Sequence, residues 1–129
     1  MKKKFIFAIL TITLTLCLAI AACNNEITGG PITNVALSVP VPVTGAIPAT
    51  AAEISYSGNF TVTHVSWSPD HSRFQGGYTY SIHVRLNANV GYTFYGINGD
   101  SIAINGNNTF ITLNPMDTVS VLFYFPETR

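Results

Sequence analysis

Charge is scarce in this chain. Only 9 % of its 129 residues are Asp, Glu, Lys or Arg, and the two signs cancel. Past Lys2, Lys3 and Lys4 the strongly basic side chains are Arg73, Arg85 and Arg129, far apart in sequence. Nucleic-acid binding rests on a dense basic footprint, so no nucleic-acid partner is expected. Cysteine is scarcer still: Cys17 and Cys23 are the whole complement. Nothing beyond residue 23 can therefore form a disulfide or a thiolate metal site, and the folded part must stand on its apolar core. Helical periodicity is missing as well, since no window repeats apolar residues at three and four.

What is present starts with an address. Lys2–Lys4 make a positive beginning, Phe5 to Ile20 run sixteen residues without a charge, and Ala21 and Ala22 precede Cys23. That order of positive, apolar and small residues predicts a secretory signal over 1–22. A permanent membrane-spanning helix needs about 20 apolar residues, which this Thr-containing run lacks. Ile20-Ala21-Ala22-Cys23 resembles the bacterial lipobox. The resemblance implies a diacylglyceryl group on the Cys23 thiol and cleavage just before that residue. It also implies a protein anchored to the membrane on its extracytoplasmic side, and to the outer membrane where a cell has two, since Asn24 is not the Asp that retains such proteins inside. Two or three acyl chains hold a protein stably on a bilayer, whereas one does so only marginally.

Removing 1–22 from 129 leaves 107 residues, with three arginines against six carboxylates, a formal net charge of −3. Residues 23–32, with Asn24, Asn25, Gly29, Gly30 and Pro31, read as a lipidated cysteine and flexible tether. From Thr33 to Arg129 the period is two. Val35, Leu37 and Val39 alternate with small or polar residues; Tyr78, Tyr80, Ile82, Val84 and Leu86 share one face, opposite Thr79, Ser81, His83, Arg85 and Asn87. Such alternation predicts half-buried strands with one wet face. Phe60–Trp67, Ile102–Ile104 and Val119–Phe125 read as further strands, separated by turn residues such as Gly76-Gly77, Asn98-Gly99 and Asn105-Gly106. The expectation is an all-β sandwich of the immunoglobulin or fibronectin III kind, with about seven short antiparallel strands. A small barrel is the alternative, disfavoured because one face of each strand is polar.

The segments Pro42-Val43-Thr44-Gly45, Trp67-Ser68-Pro69, Phe74 to Tyr80, Leu86-Asn87-Ala88, Gly91-Tyr92-Thr93-Phe94 and Phe125-Pro126 follow in order. Together they resemble the immunoglobulin-like repeats of bacterial cell-surface proteins. The resemblance covers nearly all of the domain and implies a spacer or adhesive module without catalytic residues.

Candidate chemistry is thin. Gly99-Asp100-Ser101-Ile102 resembles the nucleophile block of a serine esterase family, but a nucleophilic serine needs a base in reach and no histidine follows Ser101. His64, His71 and His83 stand seven and twelve residues apart, unlike the close spacing of zinc ligands. Asp100 with Asn98, Asn105, Asn107 and Asn108 offers oxygen ligands to calcium, yet only one carboxylate, and Asn-Gly is ordinary turn chemistry. No cofactor, no metal and no enzymatic activity are expected. Aromatics remain: Tyr92, Tyr95 and Tyr124 are the candidate ligand contacts, because tyrosine suits half-wet binding sites. The sequence thus predicts a non-enzymatic envelope protein held by lipid on Cys23, acting as a binding or structural module. Its partner is either a host or matrix protein, as for an adhesin, or a glycan, as for an accessory of glycan uptake.

Overall fold

The computed structural model describes residues 28–55 and 58–129. The expected signal segment 1–22, Cys23 as the expected lipid acceptor, and the first part of the expected tether lie outside the described residues. Ten strands follow one another: β1 (Gly30–Pro31), β2 (Val35–Ser38), β3 (Glu53–Ile54), β4 (Phe60–Ser68), β5 (Ser81–Ala88), β6 (Tyr92–Thr93), β7 (Ile102–Ile104), β8 (Asn107–Asn108), β9 (Phe110–Leu113) and β10 (Thr118–Tyr124). One 3-10 turn, Gly99–Ser101, leads into β7.

Two four-stranded sheets enclose one core, ordered β4-β5-β10-β9 and β3-β2-β7-β8, with a small β1-β6 pair beside them. The core joins Val35 and Leu37 of β2 and Ile102 and Ile104 of β7 to Ile82, Val84 and Leu86 of β5 and Val119 and Val121 of β10. All are fully or almost fully buried. Burying such a side chain contributes roughly 1.5–3 kcal/mol, which is how a fold without cross-links stands.

The strands are more numerous than the expected seven, and they are not all antiparallel. The β2–β7 and β1–β6 ladders run parallel. Parallel neighbours need a long crossover, and the chain between β2 and β7 supplies one by building most of the other sheet. The end of the expected tether is also ordered. Gly29 N–H donates to Gly91 O at 2.7 Å, Ile32 N–H to Thr93 O at 2.7 Å, and Ile32 enters the core. A Cβ on Gly29 would come within 2.4 Å of the Tyr92 ring, so only glycine fits beneath that ring.

Two irregularities shape the β4-β5-β10-β9 sheet. In β4, Phe60 and Val62 point inward, and strict alternation would send His64 inward and Val65 and Trp67 outward. The register with β5 instead shifts by one between Val62 and His64, with Thr63 the extra residue. His64 is thereby exposed, while Val65 and Trp67 pack on the core. In β9 the register with β10 slips at Thr112, so Phe110 lies opposite Leu122 and Leu113 opposite Ser120. Phe110 and Leu113 therefore both face outward. Bulges of this kind re-aim side chains at sheet edges.

Trp67 completes one end of the core, as its apolar strand suggested. Its indole N–H donates to Ala49 O at 2.8 Å, and its ring packs on Phe125 at 5.5 Å and edge-on to Phe74 at 5.0 Å. Tyr80 is fully buried, but Tyr78 is 41 % exposed rather than continuing the inner face, because β5 begins only at Ser81.

Candidate functional site

The outer face of the β4-β5-β10-β9 sheet carries a groove of about 630 Å³. Thr63 and His64 of β4 form one wall, and Leu113 and Pro115, at the end of β9 and just beyond, form the other. His83, Arg85 and Asn87 of β5, with Thr118 of β10, make the floor. Sheet register sets this arrangement row by row. Arg85 lies between His64 and Ser120, His83 between Ser66 and Leu122, and Asn87 between Thr61 and Thr118.

Hydrogen bonds fix the floor. Arg85 Nε donates to Ser120 Oγ at 3.4 Å, Thr118 Oγ1 donates to Asn87 Oδ1 at 3.2 Å, and His83 Nε2 lies 3.1 Å from Thr112 Oγ1. Partial burial holds His83 below the ordinary histidine pKa, and the charges of Arg85 and His64 press it the same way. Among the described residues no carboxylate lines the groove.

Along the same face lies an apolar strip. Phe110 is 65 % and Tyr124 55 % exposed, their rings 6.5 Å apart and edge to face, with half-buried Leu122 opposite Phe110. β9 is also the sheet's edge strand. A second apolar group, Val41, Val43 and Ile47, projects from the loop after β2, which is pinned by Arg73 donating to Gly45 O at 2.8 Å.

The three candidate tyrosines do not form one platform. Tyr124 ends β10, whereas Tyr95 sits in the loop after β6, whose Phe94 N–H bonds Met116 O just before β10 begins. The length of β10, about 20 Å at ~3.3 Å per residue, separates them. Tyr95 is exposed, with its N–H on Thr93 Oγ1 at 3.1 Å, and Tyr92 is half-buried over Gly29. Sequence reasoning missed Phe110 and Leu113 as surface residues, because an alternating strand cannot place both on one face without the bulge.

The remaining candidates have structural partners. Ser101 N–H and Oγ both bond Asn98 Oδ1, at 3.1 and 3.2 Å, which caps the 3-10 turn. Asp100 Oδ1 accepts from Asn108 Nδ2 at 3.1 Å. Asn105 imitates a strand, accepting from Val39 N–H at 2.9 Å and donating to Val39 O at 2.8 Å. His71 Nδ1 lies 2.6 Å from the Tyr80 hydroxyl, apart from the other two histidines. Among the described residues no group of three or more His, Cys, Asp or Glu is placed to hold a metal ion. No family model, curated protein or solved structure matches the chain.

Proposed function

We propose that this chain is a lipid-anchored envelope protein whose immunoglobulin-like sandwich binds a protein partner through the outer face of the β4-β5-β10-β9 sheet. The lipobox resemblance at Ile20–Cys23 supports the anchor, and the ordered repeat-like segments support the immunoglobulin kinship. One observation carries the binding surface: Phe110, Leu113 and Tyr124 stand exposed together on an edge strand and its neighbour. Exposed apolar side chains beside an unpaired strand edge invite aggregation unless a partner covers them. A protein can meet the edge with its own backbone and the strip with its side chains. Glycan recognition favours clustered aromatic rings, and Tyr92, Tyr95 and Tyr124 are dispersed, so the protein reading leads.

The test compares wild type with a Phe110→Ser, Tyr124→Ser variant after chemical cross-linking in the producing cell. Both proteins should fold alike, and the variant should lose a defined cross-linked polypeptide that wild type retains. Identical cross-linked species in the two would overturn the assignment of this face.

A further inference from the structure

We infer that the groove over Arg85 is a carboxylate-binding site, and that it takes an acidic, apolar-flanked segment of an extended polypeptide. This rests on the reading of the outer face as a binding surface and names the chemistry of its partner.

Charge placement is the first support. His64 lies directly across the ladder from Arg85, and His83 is the next outward position along β5. Arg85 carries the permanent charge of this trio, and an imidazole adds positive charge only when it is protonated. The β4 bulge sets His64 opposite Arg85, since regular alternation would have turned His64 inward. The described domain has Glu53, Asp70, Asp100, Asp117 and Glu127 to spend, but none of them lines the groove. The strands packed alongside bring no further charge to His83: β10 presents Ser120 and Leu122, and β9 presents Thr112 and Leu113. An anion supplied from outside would give Arg85 the counter-charge that no carboxylate among the described residues provides in the groove.

Geometry selects a carboxylate on a peptide over a free ion. Arg85 Nε is tied to Ser120 Oγ, and a carboxylate fits the remaining edge of the guanidinium as a two-point contact. Asn87 adds amide hydrogens beside it. From β4 to β9 the groove crosses three strand intervals, about 14 Å, which an extended peptide of about four residues spans. The far wall, Leu113 and Pro115, is apolar, and Leu113 is 48 % exposed. One bound segment can therefore set a carboxylate on the cationic side and an apolar side chain on the other.

Histidine ring resonances of the full-length chain in detergent micelles provide the test, since the sequence has three histidines and His71 stands outside the groove as an internal control. The probe is the blocked tetrapeptide Glu-Leu-Glu-Leu, with Gln-Leu-Gln-Leu and sodium sulfate as comparisons. The acidic peptide should shift the His64 and His83 signals saturably and leave His71 unmoved. Arg85→Gln should weaken that binding about tenfold, the scale of one lost charge-assisted hydrogen bond. An unmoved His71 signal in that variant shows that the fold is intact. Equal binding of the glutamine peptide, sulfate binding as tightly as the acidic peptide, or no shift of His64 and His83 at millimolar peptide would each overturn the site. The Phe110→Ser, Tyr124→Ser variant keeps this groove, so acidic-peptide binding retained there, with the cross-linked partner unchanged, would count against the wider face alone.

Discussion

His64 and Arg85 face each other across the β4–β5 ladder, and they do so only because Thr63 is an extra residue in β4. Were Thr63 paired in line instead, the ladder would carry Val62, His64 and Ser66 inward and would turn Val65 and Trp67 to water. Deleting Thr63 removes the extra residue itself and keeps His64 outward and Val65 and Trp67 inward, so it should cost under about 2 kcal/mol. Deleting Ser66 instead turns Trp67 outward and should cost more than about 3 kcal/mol, comparable to losing a large core side chain. Thr63→Ala, which keeps the residue count, should stay within about 1 kcal/mol, its hydroxyl bond to Arg85 O being long at 3.3 Å. Urea denaturation of the two deletion variants checks this, and equal midpoints would contradict the role of the bulge.

On β5 alternation is unbroken, and adjacent residues should behave oppositely. Ile82 is fully buried whereas His83 lies in the outer groove. Ile82→Ala should destabilise by about 2–5 kcal/mol through lost transfer energy and a residual cavity. His83→Ala should cost under about 1 kcal/mol, since surface changes are small. Comparable losses in chemical denaturation would mean that the outer face is buried.

Protonation should couple to stability through His83. Its folded pKa is lowered, so the unfolded chain binds the proton more readily. Stability from this group is complete above the ordinary histidine value and is lost as pH falls through the folded one. Wild type should therefore lose more stability than His83→Gln between neutral and mildly acidic pH, and Arg85→Gln should lessen the loss. Parallel pH profiles for wild type and His83→Gln would contradict it.

Lipidation has a simple readout. Fatty-acid labelling in the producing cell should mark wild type and not Cys23→Ser, because the thiol is the acceptor the lipobox implies. Equal labelling would remove the anchor from the account.

Period-two patterns were legible wherever a strand runs straight. On β5, Ile82, Val84 and Leu86 are inside, with His83 and Arg85 outside, as the alternation predicts. β4 and β9 resisted, because one extra residue inverts parity and leaves no mark in composition. The site suffered most, for each of its walls depends on such a residue: His64 follows Thr63, and Leu113 follows Thr112. Beyond the last strand Thr128 is buried, its N–H on Tyr78 O at 2.9 Å and its hydroxyl donating to Gln75 O. Long-range contacts of that sort have no local signature. Tyr92, Tyr95 and Tyr124 were recognisable as tyrosines near turns and strand ends, but their separation is a property of topology.

The central claim, that the outer face of the β4-β5-β10-β9 sheet meets a protein partner, is tested most directly by position-specific photo-cross-linking in the producing cell. A benzophenone amino acid would replace Leu113 in one variant and Asn107, exposed on the edge of the other sheet, in a second. A discrete protein adduct should form from position 113, be absent from position 107 and be lost when Arg85→Glu is added. An adduct of equal yield from both positions, one made of glycan instead of protein, or none from position 113 would contradict it.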